Sequence, residues 1–100
     1  MLKITIHEGA NVLTLRLEGK LNGPWVEELN RTWLSLTPAL GSKKLQMDLR
    51  GVAFVDGLGR RLLQEIYQHT NASFLADTPL TRHFADDAMQ EFLKDGEEGA

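Results

Sequence analysis

The chain of 100 residues contains no cysteine. This excludes a disulfide framework, a thiolate nucleophile and a zinc site built on thiolates, so the fold depends on packing alone. No apolar run exceeds five residues, far below the ~20 needed to cross a bilayer. The N-terminus also lacks the apolar core of a secretion signal. We therefore expect a cytoplasmic protein with no membrane span.

Excess charge of one sign is also lacking. Eleven basic and 14 acidic residues give a net charge of −3 and a pI near 5.5, which argues against nucleic acid as a partner. Hydrophobic residues at 42% and charged residues at 25% are typical of a globular protein, and 100 residues suit one domain. We expect this domain over residues 1–93 and a disordered polar tail over residues 94–100.

Groups that carry catalysis or bind metals do not cluster in the sequence. None of the three histidines has a second ligand at metal-binding spacing, and no serine lies in a nucleophile elbow. Asp86 and Asp87 are adjacent, but neighbouring helix positions point about 100° apart, so a solvated face is expected for this pair. The sequence therefore predicts neither an enzyme nor a resident metal or cofactor.

Hydrophobic periodicity predicts a single α/β domain with the order β-β-α-β-α-β-α. An N-terminal β-hairpin is followed by parallel strands with helices packed on the sheet, so the sheet is mixed. The third strand becomes continuously apolar, which predicts that both of its faces are covered. A loop over residues 37–42 is expected to end the first helix, because it contains Pro38 and Gly41. Strands are predicted at residues 2–6, 12–21, 45–55 and 72–76, and helices from Pro24, Gly57 and Pro79.

Apolar stripes at helical spacing predict which side chains face the core. On the first helix Trp33 belongs to the stripe and Trp25 is expected to be partly exposed, whereas Thr78 is expected to cap the third helix. The stripe of the second helix contains Leu58, Leu62, Leu63 and Ile66, and that of the third contains Leu80, Phe84, Ala88 and Phe92.

The turn after the third strand is the place to look for a site, since open α/β sheets place ligands at the carboxyl ends of strands. Arg60 and Arg61 lie in the first turn of a helix, where the dipole disfavours cations. One interpretation is an anion site, in which Gly57, Gly59 and the two arginines bind a phosphate or carboxylate. The alternative is that both arginines are merely exposed, with Arg61 offset by Glu65.

Residues 44–59 read Lys-Leu-Gln-Met-Asp-Leu-Arg-Gly-Val-Ala-Phe-Val-Asp-Gly-Leu-Gly. This segment resembles the central signature of the sulfate transporter and anti-sigma factor antagonist (STAS) domain. The segments at residues 17–22 and 77–79 are similar to two further turns of that family, so the resemblance extends over about residues 2–93. The matching positions in the central segment are Asp48, Leu49, Val52, Phe54, Asp56 and Gly59.

The sequence departs from the family pattern at two places. Gly57 occupies the position of the serine that accepts phosphate in this family, and Leu58 replaces the serine after it, so no phosphorylation is expected at that position. The chain also stops after the third helix, where many members continue into another strand and helix. We expect the shortened sheet edge to be free to pair with a partner chain, which leaves a homodimer open.

The resemblance implies a bacterial, non-enzymatic regulatory module that binds a protein, such as an anti-sigma factor, a kinase-like regulator or another assembly. A small-anion, nucleotide or metabolite sensor that binds at the helix start after Asp56 remains the alternative. Regulation through another phosphorylation site, such as Thr78 or Thr81, also stays open. The residues expected to contact the protein partner are Asn22, Trp25, Asp56, Gly57, Leu58, Arg60, Arg61 and Gln64.

Overall fold

A computed structural model describes residues 1–90 of the chain. The predicted tail at residues 94–100 and the predicted stripe residue Phe92 lie outside the described residues. The predicted order β-β-α-β-α-β-α is confirmed. The elements are β1 (Leu2–Glu8), β2 (Val12–Leu21), α1 (Pro24–Leu40), β3 (Lys44–Val55), α2 (Gly57–Thr70), β4 (Ser73–Leu75) and α3 (Pro79–Ala88).

The four strands form one mixed sheet in the order β1-β2-β3-β4. β1 and β2 form the predicted antiparallel hairpin, with Thr5 opposite Arg16. β3 runs parallel to β2 and β4 runs parallel to β3, with Met47 opposite Leu15 and Phe74. The hairpin followed by parallel strands confirms the predicted sheet.

The helices cover one face of this sheet. Leu45, Met47 and Leu49 of β3 are buried, whereas Gln46 between them is half-buried and Arg50 is exposed. The expectation that β3 is covered on both faces is therefore wrong. Because β2, β3 and β4 follow one another without a reversal, right-handed crossovers place their helices on the same side. The fully buried side chains of the core are Leu15, Leu17, Leu21, Leu29, Met47, Leu49, Leu63 and Ile66.

The first helix is longer than predicted. α1 continues through Pro38 to Leu40, and Gly41 with a φ of 56° follows it, so the predicted loop over residues 37–42 is wrong over its first four residues. A proline inside a helix removes one backbone hydrogen bond. Leu36 and Leu40 both pack against the core, and their burial offsets this loss. Trp33 is buried and Trp25 is half-buried, as expected.

Two leucines assigned to core-facing stripes are exposed. Leu58 at the start of α2 is 62% exposed and Leu80 at the start of α3 is 48% exposed. Both lie in the first turn of a helix that leaves the end of a strand, where neighbouring elements no longer cover the stripe. Leu62, Leu63 and Ile66 further along α2 are buried as predicted. No helix within residues 1–90 is long and apolar enough to cross a membrane.

Candidate functional site

Asp56 connects the starts of two helices. Its Oδ1 accepts a hydrogen bond from the backbone N–H of Gly59 at 2.7 Å, which caps α2. Its Oδ2 accepts a second hydrogen bond from the backbone N–H of Gly23 at 3.1 Å, immediately before α1. A capping carboxylate also lies favourably at the positive end of the helix dipole. The carboxylate therefore sets how the two helix starts lie relative to each other.

The two glycines of this turn have different roles. Gly57 is exposed, and a Cβ built on it meets no atom of residues 1–90 within 4 Å. Gly59 is buried, and a Cβ there lies 2.8 Å from the carbonyl oxygen of Leu21 and 3.1 Å from Cγ1 of Val55. Gly59 therefore allows α2 to pack closely on the sheet, whereas Gly57 leaves an open position where a larger side chain fits.

A groove runs between α1 and α2 next to this turn, and we call it the α1–α2 groove. Its volume is about 420 Å³. The apolar residues Val26 and Leu62 line it, and Leu58 projects at its edge. Both signs of charge are present along it. The groove is lined by Gly23, Pro24, Val26, Glu27, Asn30, Leu58, Arg61, Leu62 and Glu65.

The two arginines of α2 point in different directions, about 100° apart around the helix. Arg61 lies in the α1–α2 groove, and within residues 1–90 no carboxylate oxygen lies within 4.0 Å of its guanidinium. The ion pair between Arg61 and Glu65, which was part of the alternative interpretation, is therefore not formed. Arg60 faces α3, where its Nε lies 2.8 Å from Oδ2 of Asp87. Within residues 1–90, Arg61 is thus the arginine of this pair that offers an unpaired guanidinium to the groove.

Asp87 is not part of a solvated face, and that expectation is wrong. Its side chain is only 15% exposed, because it packs between α2 and α3. The Nε–H of Arg60 is not directed at Oδ2, so the ion pair carries no aligned hydrogen bond. Gln64 donates from Nε2 to the backbone carbonyl of Asp87 at 3.1 Å. Arg60 and Gln64 thus hold α2 against α3.

Two predicted contact residues lie at the start of α1, Asn22 just before the helix and Trp25 in its first turn, and neither is among the residues of positions 1–90 that line the groove. Asn22 is half-buried, and its carbonyl accepts a hydrogen bond from the N–H of Trp25 at 3.1 Å. Trp25 packs against the core. The structure therefore divides the predicted surface. The helix starts carry Asn22, Trp25, Asp56 and Gly57, the groove is lined by Leu58 and Arg61, and α3 is contacted by Arg60 and Gln64.

The helix start is poorly suited to an anion. Asp56 already accepts from the N–H of Gly59, so a carboxylate lies where a bound anion would accept. Arg60 is paired with Asp87. Of the side chains proposed for this site, only Arg61 remains unpaired among the described residues.

The open face of the sheet carries an ion pair between a buried aspartate, Asp48, and an exposed arginine, Arg50. Asp48 is 4% exposed, and its two oxygens accept hydrogen bonds at 3.0 and 2.9 Å from Nε and Nη2 of Arg50. These hydrogen bonds and the charges of Arg50 and Arg16 hold the pKa of Asp48 below its ordinary value. The resemblance singled out Asp48 without indicating this role.

Sequence reasoning missed the residues that α1 contributes to the groove, above all Glu27 and Asn30. They occur at i, i+3 spacing next to the apolar stripe, which places them on one side of the helix. This spacing marks a partly covered helix side, but it does not indicate which neighbouring helix lies opposite.

The fold is that of anti-sigma factor antagonists, the STAS fold. The structure of an anti-sigma factor antagonist from Mycobacterium paratuberculosis is 20% identical over 83% of this chain and 74% of its own, with a TM-score of 0.70. Unphosphorylated SpoIIAA, another anti-sigma factor antagonist, is 18% identical over 81% of this chain and 79% of its own, with a TM-score of 0.63.

A third solved structure, Mglu, is 20% identical over 75% of this chain but only 19% of its own length, with a TM-score of 0.59. The same fold therefore forms part of a much larger protein. No family model matches the sequence, and no relative is found among curated proteins. The predicted STAS fold is thus supported by structure rather than by sequence identity.

Proposed function

We propose that this protein is a non-enzymatic regulatory module that binds a protein partner through the α1–α2 groove, as an anti-sigma factor antagonist-like domain. The observation that carries the proposal is the groove itself. It lies beside the capped start of α2 and combines an exposed leucine, Leu58, with Arg61, a cation that has no carboxylate partner within residues 1–90. The partner is an anti-sigma factor, a kinase-like regulator or another regulatory assembly in the bacterial cytoplasm.

The chemistry of the groove favours a protein over a small anion. A protein interface combines an apolar anchor with a polar rim. Leu58 supplies the anchor, and Glu27, Asn30, Arg61 and Glu65 supply the rim. The carboxylates of Glu27 and Glu65 on this rim would repel a bound anion. The carboxylate of Asp56 occupies the helix start as well.

Gly57 bears on how such binding is regulated. It lies exposed at the first position of α2 and offers no hydroxyl to a kinase. Binding through the groove is then constitutive or is controlled elsewhere, rather than switched by phosphate at this turn. Thr78 and Thr81 are weaker alternatives, because their hydroxyls form the capping box of α3.

The test compares three forms of the tagged full-length protein in affinity capture from native lysate. The first is wild type, the second carries Leu58→Glu and Arg61→Glu, and the third carries Leu80→Glu and Arg82→Glu. The third form is a matched control, because Leu80 and Arg82 are an exposed leucine and arginine at the start of α3. A protein retained by wild type and the control but lost from the groove variant is the expected result.

If the groove variant retains the captured protein as well as wild type does, this surface is not the binding site.

A thermal-shift series with phosphate and nucleotides at millimolar concentration tests the sensor alternative, since a ligand that binds the native state raises the melting temperature. We expect no shift. An increase that disappears in Arg61→Glu would instead support an anion sensor.

A further inference from the structure

The outer edge of β1 presents a regular row of backbone groups. β1 is an end strand, so within residues 1–90 only its inner edge is paired. The Met1 carbonyl accepts from the N–H of Lys20 at 2.9 Å, and the Val12 carbonyl accepts from Gly9 at 2.8 Å. These bonds show that the backbone groups of odd-numbered residues point toward β2. In an antiparallel ladder, the backbone groups of alternate residues point to opposite edges of the strand. The N–H and C=O groups that point outward belong to Leu2, Ile4, Ile6 and Glu8.

This edge carries only part of the protection found on other end strands, because its charged residues, Lys3 and Glu8, lie near its two ends. Over its seven residues β1 contains no proline, and its pairing with β2 has no bulge. The opposite edge strand, β4, has only three residues. Natural proteins shorten, bulge or charge such edges to prevent pairing with another chain. β1 is the longer edge of the two and is regular along its length.

Ile6 adds an uncovered apolar side chain to this edge. It pairs with Leu15, whose side chain is fully buried on the helix side of the sheet. Ile6 therefore faces the same side, yet it is 47% exposed. An exposed isoleucine beside open backbone groups is a feature that a further strand would cover.

We propose that β1 pairs antiparallel with β1 of a second copy of this chain, across a two-fold axis at Thr5. The outward groups lie on even-numbered residues, so hydrogen-bonded pairs across the axis join even-numbered residues only. The register that uses the whole strand pairs Leu2 with Glu8 and Ile4 with Ile6 of the second copy. Each of these pairs exchanges two hydrogen bonds.

Self-complementarity of the side chains favours a second copy as the occupant. On the helix side, Ile6 of each copy meets Ile4 of the other, so the symmetry covers both exposed isoleucines. On the open face, Thr5 meets Thr5 of the second copy, and threonine pairs are favourable across strands. With the two-fold axis at Ile4 or Ile6, even-numbered residues would still pair with even-numbered residues. Part of the strand would then remain unpaired.

The absence of cysteine allows a direct test of this register. Thr5 of each copy forms a non-hydrogen-bonded pair with a Cα separation of about 4.5 Å, which a disulfide can bridge. The full-length Thr5→Cys protein is expected to become a disulfide-linked dimer on mild oxidation. Lys3→Cys is the control, because Lys3 faces His7 of the second copy and lies about 13 Å along the strand from its own equivalent. A mixture of Lys3→Cys and His7→Cys proteins is expected to cross-link.

Sedimentation velocity over a range of protein concentrations tests the unmodified chain. The wild type is expected to show a concentration-dependent dimer, which Ile6→Lys abolishes. Leu34→Lys, which changes a 54% exposed leucine on α1, is expected to leave the dimer intact. Circular dichroism tests whether both variants fold. If Ile6→Lys does not fold, the cysteine cross-linking test still decides the proposal.

Three results would overturn the proposal. In the first, the wild type stays monomeric at every concentration. In the second, Lys3→Cys alone cross-links as efficiently as Thr5→Cys. In the third, the Ile6→Lys protein folds and dimerises like wild type. None of these results bears on the α1–α2 groove, whose residues are unchanged in all the variants.

Discussion

The carboxylate of Asp56 lies 3.1 Å from the backbone nitrogen of Gly23, although 33 positions separate the two residues in the chain. The same carboxylate caps α2 through Gly59. One side chain therefore fixes the starts of both helices that form the α1–α2 groove. The geometry of the proposed partner surface depends on this link, which gives Asp56 a structural role beside the binding surface.

Replacing Asp56 is expected to lower stability without abolishing folding. Asp56→Ala removes both hydrogen bonds, and loss of an N-cap side chain typically costs about 0.5–2 kcal/mol. Asp56→Asn keeps one acceptor and is expected to lose less. Urea denaturation measures the free energies of unfolding, with Asp86→Ala at an exposed position of α3 as the control. An Ala variant as stable as wild type would show that the link contributes nothing.

Serine substitutions at the two glycines of α2 are expected to differ sharply. Gly57→Ser meets open space, so its free energy of unfolding is expected to stay within about 0.5 kcal/mol of wild type. Gly59→Ser places Cβ 2.8 Å from the Leu21 carbonyl oxygen, and such overpacking costs about 1–3 kcal/mol. Thermal and urea unfolding of the two proteins give the comparison. Equal stability would contradict the close packing of α2 on β2.

Arg60 and Arg61 are expected to separate stability from binding. Arg60→Ala breaks the contact with Asp87 and is expected to lower stability by up to about 1 kcal/mol, because the arginine is largely exposed. Arg61→Ala, which breaks no ion pair within residues 1–90, is expected to leave stability unchanged and to weaken partner capture. A double-mutant cycle with Asp87→Asn measures the coupling at Arg60. Loss of stability in Arg61→Ala together with loss of partner capture in Arg60→Ala would contradict the placement of Arg60 against α3 and of Arg61 in the groove.

Acid is expected to destabilise the fold partly through Asp48. Its folded-state pKa is held low by hydrogen bonds from Arg50, so its ionised form stabilises the folded state above about pH 4, and this contribution is lost as the pH falls further. Urea unfolding at pH 7 and pH 3 measures the loss, which is expected to be smaller in Asp48→Asn. The pKa of Glu8 is also lowered, by Lys43, so protonation of Glu8 at low pH also lowers the stability of the fold. Glu8→Gln is therefore the comparison variant. An Asp48→Asn protein with the full wild-type pH dependence would contradict this role.

Local patterns in the sequence were enough to predict the element order. The alternation through Leu13, Leu15 and Leu17 indicates a strand with one buried face, and all three are buried. Thr78 caps α3 as predicted, since its hydroxyl accepts from the N–H of Thr81. Capping and periodicity depend on residues within a few positions of one another, so they are visible without the fold.

The predictions that failed concern contacts between distant segments. Pro38 indicated a loop, but packing of Leu36 and Leu40 on the core extends α1 through it. Leu58 has stripe spacing, but no element of residues 1–90 covers it. Asp87 is polar and lies on a helix, yet it is mostly buried because α2 lies alongside α3. Local composition does not determine which of these surfaces are covered.

The sequence by itself determined the class of fold and indicated the turn at which we propose the site, because hydrophobic periodicity, caps and the segment at residues 44–59 are local features. Only the tertiary structure decided which of the two arginines is unpaired within residues 1–90. Arg60 and Arg61 are adjacent in sequence, but successive helix positions differ by about 100° in direction. Arg60 therefore meets Asp87 of α3, whereas Arg61 lies in the groove with α1.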